Sequence, residues 1–94
     1  MESKTQYHLK LFVVGNAPRT EQAIASLRRI CEDEFPGCYV LEVIDVLRQA
    51  ALAEEKKILA TPTLIKERPL PVRRIIGDFS DKDSVLAGLG LLVR

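Results

Sequence analysis

Two cysteines, one histidine and a run of basic residues carry whatever chemistry this chain can do. Cys31 and Cys38 have six residues between them, which is neither the C-x-x-C spacing of a redox dithiol nor that of a zinc pair. The spacing points to two reduced, half-buried thiols, with a disulfide across the end of a helix as the alternative. His8 alternates with strand-type neighbours, which suits a surface or half-buried side chain better than a ligand or base. One histidine and two dispersed cysteines make no metal-ligand pattern. Glu54 and Glu55 are adjacent and would point apart on a helix, so they form no acid–base dyad. Gly88-x-Gly90 has neither the lysine nor the further glycine of a phosphate loop. Arg73 and Arg74 stand out among the charges: they adjoin Ile75-Ile76, with Lys66 and Arg68 nearby. They read either as a solvated basic strand end or as an anion-seeking patch for an acidic partner.

The elements that position these residues follow one another without repeat or linker. Residues 7–14 alternate and then turn fully apolar, a strand with one face more buried than the other. Gly15-Asn16-Ala17-Pro18 breaks it. Ala23, Ile24, Leu27, Ile30 and Cys31 then share a helical face over about 19–34, opposite Arg28, Arg29 and Glu32, and Phe35-Pro36-Gly37 ends that helix. Residues 39–46 are a second strand, and a strand–helix–strand unit makes the two strands parallel.

In the second half, Gln49 to Ile58 is rich in strong helix formers. Thr61 to Ile65 reads as a short strand whose Pro62 must sit at an edge or at the strand start, because proline donates nothing to a ladder. Pro69 and Pro71 bracket a connection to a strand at Val72–Ile76. Ser80 and Asp83 stand as in a capping box, with Asp81 and Asp83 suited to a helix dipole, and Val85, Leu86, Leu89, Leu92 and Val93 share one face. Gly88 and Gly90 fall inside that helix, each costing about 1 kcal/mol relative to alanine. Leu-Gly-Leu-Leu-Val would serve equally well as a buried strand. Read as a helix, the order is βαβαββα, which is thioredoxin-like.

In that fold a redox cysteine would sit after the first strand, where the next helix lowers its thiol pKa. Gly15 to Thr20 hold no cysteine, so thiol–disulfide chemistry at that place is excluded if the fold holds. Thr61-Pro62-Thr63 fits the cis-proline that opens the third strand of such folds, with an ordinary trans proline as the alternative.

Composition bounds the rest. Ninety-four residues make one domain, and 47% hydrophobic with 29% charged residues is ordinary for a soluble globular chain. No apolar run approaches the roughly 18–20 residues that span a bilayer. The polar start, Met1 to Gln6, lacks a signal-peptide core, so the cytoplasm is the expected location. A net charge of +1 gives no argument for nucleic acid. The halves differ: residues 1–47 carry five basic and seven acidic side chains, a net −2, whereas residues 48–94 carry nine and six, a net +3. An anionic partner would therefore meet the second half.

Four stretches resemble one family closely and without gaps: Leu-Lys-Leu-Phe-Val-Val-Gly-Asn (9–16), Val-Ile-Asp-Val-Leu (43–47), Leu-Ala-Glu-Glu-Lys-Lys-Ile-Leu-Ala-Thr-Pro-Thr-Leu (52–64) and Leu-Pro-Val-Arg-Arg-Ile-Ile-Gly-Asp (70–78). Nearly the whole chain resembles the KaiB clock-protein family. The resemblance implies a single domain that binds the N-terminal ATPase ring of a KaiC-type hexamer, with no cofactor and with KaiA or a histidine kinase as further partners. It also implies two folds. A ground-state βαββααβ form, commonly tetrameric, interconverts with the thioredoxin-like βαβαββα form that binds KaiC. Residues 1–47 would stay fixed while residues 48–94 switch. Family members usually rest in the ground state; the local signals of this sequence lean the other way.

By position, the resemblance makes Lys57 a partner-binding residue and Arg73 and Arg74, which match the family's paired arginines, partner-binding or assembly residues; Lys66 joins the partner-binding set from the basic patch. The resemblance assigns Tyr7, Pro62, Pro69, Pro71, Gly88, Gly90 and Val93 to the switch, the prolines through isomer changes. The chain also departs from the family. Where relatives read Gly-Leu-Asp-Leu-Leu-Tyr, it has Gly88-Leu89-Gly90-Leu91-Leu92-Val93. Gln49-Ala50-Ala51 replaces Asn-Pro-Gln, and the acidic C-terminal tail of relatives has no counterpart. These changes suggest a homologue outside the core clock set. Two other readings stand beside a KaiC-binding regulator: a thioredoxin-like oxidoreductase or redox sensor, and a structural homo-oligomer, dimer or tetramer, related to kinase sensor domains.

Overall fold

The computed structural model describes residues 5–77 and 79–91. The chain runs β1 (Tyr7–Val13), α1 (Pro18–Glu34), β2 (Tyr39–Asp45), α2 (Ala50–Glu55), β3 (Thr63–Arg68), β4 (Arg73–Ile76) and α3 (Lys82–Gly88). One sheet has the order β2-β1-β3-β4. β1 and β2 are parallel, while β1–β3 and β3–β4 are antiparallel.

Strand alternation divides the core in two. Leu9, Leu11 and Val13 of β1, with Leu64 of β3, face Ala23, Leu27, Ile30 and Cys31 of α1 and Val85, Leu86 and Leu89 around α3. Phe12, Ile44 and Ile65 point to the other face, where Leu52 of α2, Val46 and Ile58 cover them. The arrangement is the thioredoxin-like βαβαββα order rather than βαββααβ: the segment after Ser80 is a helix.

Local chemistry accounts for that helix and corrects its expected limits. Its N-cap is Asp81 rather than Ser80. The Asp81 carboxylate accepts from the Asp83 N–H at 3.2 Å and the Ser84 hydroxyl at 2.9 Å. The helix stops at Gly88, so Gly90 does not weaken its interior; it closes the end. Gly90, at φ +78°, donates its N–H to the Ala87 carbonyl, and the Leu91 N–H reaches the Leu86 carbonyl at 2.8 Å. That is a Schellman turn with glycine at its left-handed position, the arrangement glycine favours most. Leu92 and Val93 lie outside the described residues.

α2 ends the same way and shorter than expected. Lys57 takes φ +56°, its N–H bonding the Glu54 carbonyl at 3.0 Å and the Ile58 N–H bonding the Ala53 carbonyl at 2.9 Å. This second Schellman turn drops Ile58 onto the core. β3 starts at Thr63 and lies inside the sheet, so Pro62 stands at a strand start and not at an edge. The Thr61–Pro62, Arg68–Pro69 and Leu70–Pro71 bonds are cis.

Candidate functional site

The basic residues singled out from the sequence converge on the β3–β4 side of the sheet but divide between its faces. Arg73 pairs in register with Lys66, and Arg74 with Ile65. With a period of two, the adjacent arginines therefore point oppositely.

On the α2 face, Arg74 works as a clamp. Its guanidinium donates to the Lys57 carbonyl at 3.0 Å and the Lys56 carbonyl at 2.7 Å. These are among the carbonyls that the end of α2 leaves open, at the negative end of its dipole. Beside it, Glu67 accepts from Lys10 at 3.3 Å and Lys56 at 3.5 Å, joining β1, β3 and α2. Sequence reading missed this trio, although the strand alternation that puts Lys10, Ile65 and Glu67 on one face was its available signal. Lys57 is thus brought to Arg74 through its backbone, while its side chain stays exposed. Val46, Ala53, Glu54, Lys57, Ile58 and Leu59 line an open groove of about 520 Å³ along α2. Leu59 is 93% exposed and Leu47, on the approach to α2, 71%. Asp45 fixes that approach: its carboxylate accepts from the Gly15 N–H at 3.3 Å and the Leu47 N–H at 3.0 Å, tying the ends of β1 and β2 together.

On the α1/α3 face, Lys66 is 3% exposed and Arg73 is exposed. Burial, and secondarily the charge of Arg73, lowers the Lys66 pKa. Tyr7 stacks on Phe35 with centroids 4.2 Å apart. Gly88 packs on Ile75, and a Cβ there would sit 2.9 Å from the Ile75 side chain. Pro62 is buried, its carbonyl accepting from the Gly77 N–H at 3.3 Å, whereas Pro69 and Pro71 lie in the β3–β4 connection.

The place a redox centre would take in this fold is the start of α1, where Ala17, Arg19 and Thr20 share a cavity of about 200 Å³ with Pro62. Both cysteines lie elsewhere and are free. Cys31 is buried on α1, and burial first, then Glu32, pushes its thiol up to about 12. Among the described residues no cluster of histidine, cysteine or acidic side chains could hold a metal ion, and no helix is long and apolar enough to cross a membrane.

Comparison with known proteins gives the family. The KaiB domain model matches residues 10–91. The chain is 60% identical over 92 residues to a circadian clock oscillator protein KaiB of Prochlorococcus marinus, covering 98% of this chain and 88% of that one. It is 59% identical over 92 residues to the KaiB of Synechococcus elongatus, covering 98% and 90%. Among solved structures, the fold resembles the N-terminal domain of Synechococcus elongatus SasA, with a TM-score of 0.71 at 24% identity over 83% of this chain and 74% of that one. It also resembles the thioredoxin Deadhead of Drosophila melanogaster, with a TM-score of 0.72 at 16% identity over 96% and 84%. With most of its length matched by that domain and by relatives near 60% identity, the chain belongs to the KaiB family of circadian clock proteins.

Proposed function

We propose that this chain is a non-catalytic regulator that binds the N-terminal ATPase ring of a KaiC-type hexamer, in clock or stress-response timing. The thioredoxin-like form is its binding form. The observation that carries this reading is the α2 surface: an open apolar groove lined by the exposed Lys57 and the largely exposed Leu59, with Leu47 exposed on the approach to α2. Exposed apolar side chains gathered around one short helix mark a protein-docking surface better than a substrate pocket. The Arg74 clamp and the Glu67 ion pairs hold that helix to the sheet, so the surface is presented without further ordering on binding. Cys31 supports oxidoreductase action poorly, since a thiol held at about 12 is almost never a thiolate near neutrality.

The test is a pull-down with the cognate KaiC-type protein across its nucleotide states, run beside an insulin-reduction assay. Retention in at least one nucleotide state is expected. Absence of binding in all of them, or reductase activity that disappears in the Cys31→Ser, Cys38→Ser double variant, would overturn the reading.

A further inference from the structure

Lys66 is anomalous. It sits in β3 next to Ile65, on the side of the strand that carries Leu64, and is 3% exposed. A lysine this enclosed ordinarily has a carboxylate beside it. Among the described residues Lys66 has no hydrogen-bond or ion-pair partner, and the charge among them that bears on it is Arg73, also positive. The last acids of α1, Asp33 and Glu34, are engaged by Lys82 at 3.7 Å and 2.6 Å, and Asp81 caps α3. The Lys66 ammonium keeps a path to solvent, because no side-chain nitrogen or oxygen among the described residues is both enclosed and unpartnered.

Arg73 adds the geometry. It faces Lys66 across the β3–β4 ladder and lies against the turn that ends α3. A Cβ at position 90 would stand 3.3 Å from Arg73 Nε. A side chain at 90 would therefore reach the guanidinium: an acidic one would occupy it, and glycine leaves it unoccupied.

We propose that Lys66 and Arg73 form a receptor for a carboxylate carried by a docking protein, kept open by Gly90. The guanidinium supplies a planar fork for the two oxygens and the ammonium a compact point charge beside it. The apolar stem of Lys66 lies in the core, so the ammonium is held in place and does not swing in solvent, and neutralising two like charges at one spot gives the anion its affinity. The inference rests on the proposed function only for the source of the carboxylate; the receptor itself is tested on the chain alone.

The experiment titrates isotope-labelled protein with a capped Asp-Glu-Asp peptide and, separately, with inorganic phosphate, following the Lys66 Cε/Nζ and Arg73 Nε resonances. The expected result is saturable peptide-induced shifts at both residues. They should be at least fivefold weaker in Gly90→Asp, which supplies an internal carboxylate, and within twofold of the parent in Gly90→Asn, which has the same shape and backbone tolerance without the charge. Arg73→Gln, which leaves the Gly90 turn intact, should lose the shifts, and it decides the matter if either position-90 variant loses α3. No saturable shift at Lys66 and Arg73, or equal weakening by Asp and Asn with α3 retained, would overturn the proposal. So would phosphate saturating the same resonances at lower concentration than the peptide, which would make the site one for a small oxyanion.

Discussion

Lys57 holds a left-handed backbone conformation that lysine does not favour, and replacing it with glycine should separate folding from binding. At φ +56° a residue with a Cβ carries about 1–2 kcal/mol of strain. Glycine removes that strain but adds about 0.5–1 kcal/mol of backbone entropy to the unfolded chain. The difference leaves Lys57→Gly about 0.5–1 kcal/mol more stable than the parent, with the Schellman bonds from Lys57 and Ile58 intact. For a domain of this size that is a rise of about 2–8 °C in Tm, or a matching shift of the urea midpoint at constant m. The exposed ammonium disappears with the substitution, so affinity for the ring should fall while stability rises. Lys57→Ala, which keeps the strain, should lose affinity without the gain in stability. A Lys57→Gly variant less stable than the parent would refute the argument, since it would mean that the lysine side chain supports the fold more than its backbone strains it.

Other perturbations have equally definite outcomes. Arg74→Gln removes the clamp on the last turn of α2; because these bonds are exposed, we expect a loss of only about 1 kcal/mol in chemical unfolding, together with faster hydrogen exchange confined to residues 50–58. Gly88→Ala gains about 1 kcal/mol of helix propensity but drives a Cβ to 2.9 Å from Ile75, so alone it should be near neutral, and in an Ile75→Ala background it should show a favourable coupling of about 1 kcal/mol in a double-mutant cycle. Cys31 should resist alkylation at pH 8 that modifies Cys38. Its folded thiol titrates above its unfolded value, so the stability it contributes is complete below pH 9 and lost as pH rises toward about 12; Cys31→Ala should flatten that part of the pH–stability curve. Lys66 has the opposite sign. Its folded pKa is lowered, chiefly by burial and then by Arg73, so the unfolded chain holds the proton more tightly and the penalty persists below the folded value. Lys66→Met should be more stable than the parent at neutral pH in chemical unfolding, the gap closing as pH climbs through the lysine range, and a destabilised variant would count against a folded-state penalty on the Lys66 charge.

The first half of the fold was legible because its signals agree. The alternation of β1, the 3.6-residue stripe Ala23–Leu27–Ile30–Cys31 and the β-branched run of β2 all lead to one βαβ unit. The second half was harder for identifiable reasons. α2 stops at a lysine in a left-handed turn, where neither glycine nor asparagine marks the end. Ser80 and Asp81 are both competent caps side by side, and only the geometry shows that Asp81 is used. Gly90 reads as a helix weakener until its φ makes it the residue that ends the helix. Of the site, the arginine pair was visible from the sequence, and strand periodicity implied that its members face apart. That one of them holds α2 and the other lies beside a buried lysine depends on the register of β3 and β4, which no local pattern encodes. The role expected for Lys57 came from family resemblance, whereas Lys66 was marked by its place in the basic patch.

The most direct measurement is the equilibrium binding of this chain to the isolated N-terminal ring of the cognate KaiC-type protein, with each nucleotide in turn. The account predicts saturable binding in at least one nucleotide state, weakened at least about fivefold by Lys57→Ala, equivalent to about 1 kcal/mol, and unchanged by replacing both cysteines. No binding to the ring with any nucleotide, or binding that Lys57→Ala leaves intact and the cysteine replacements abolish, would contradict it.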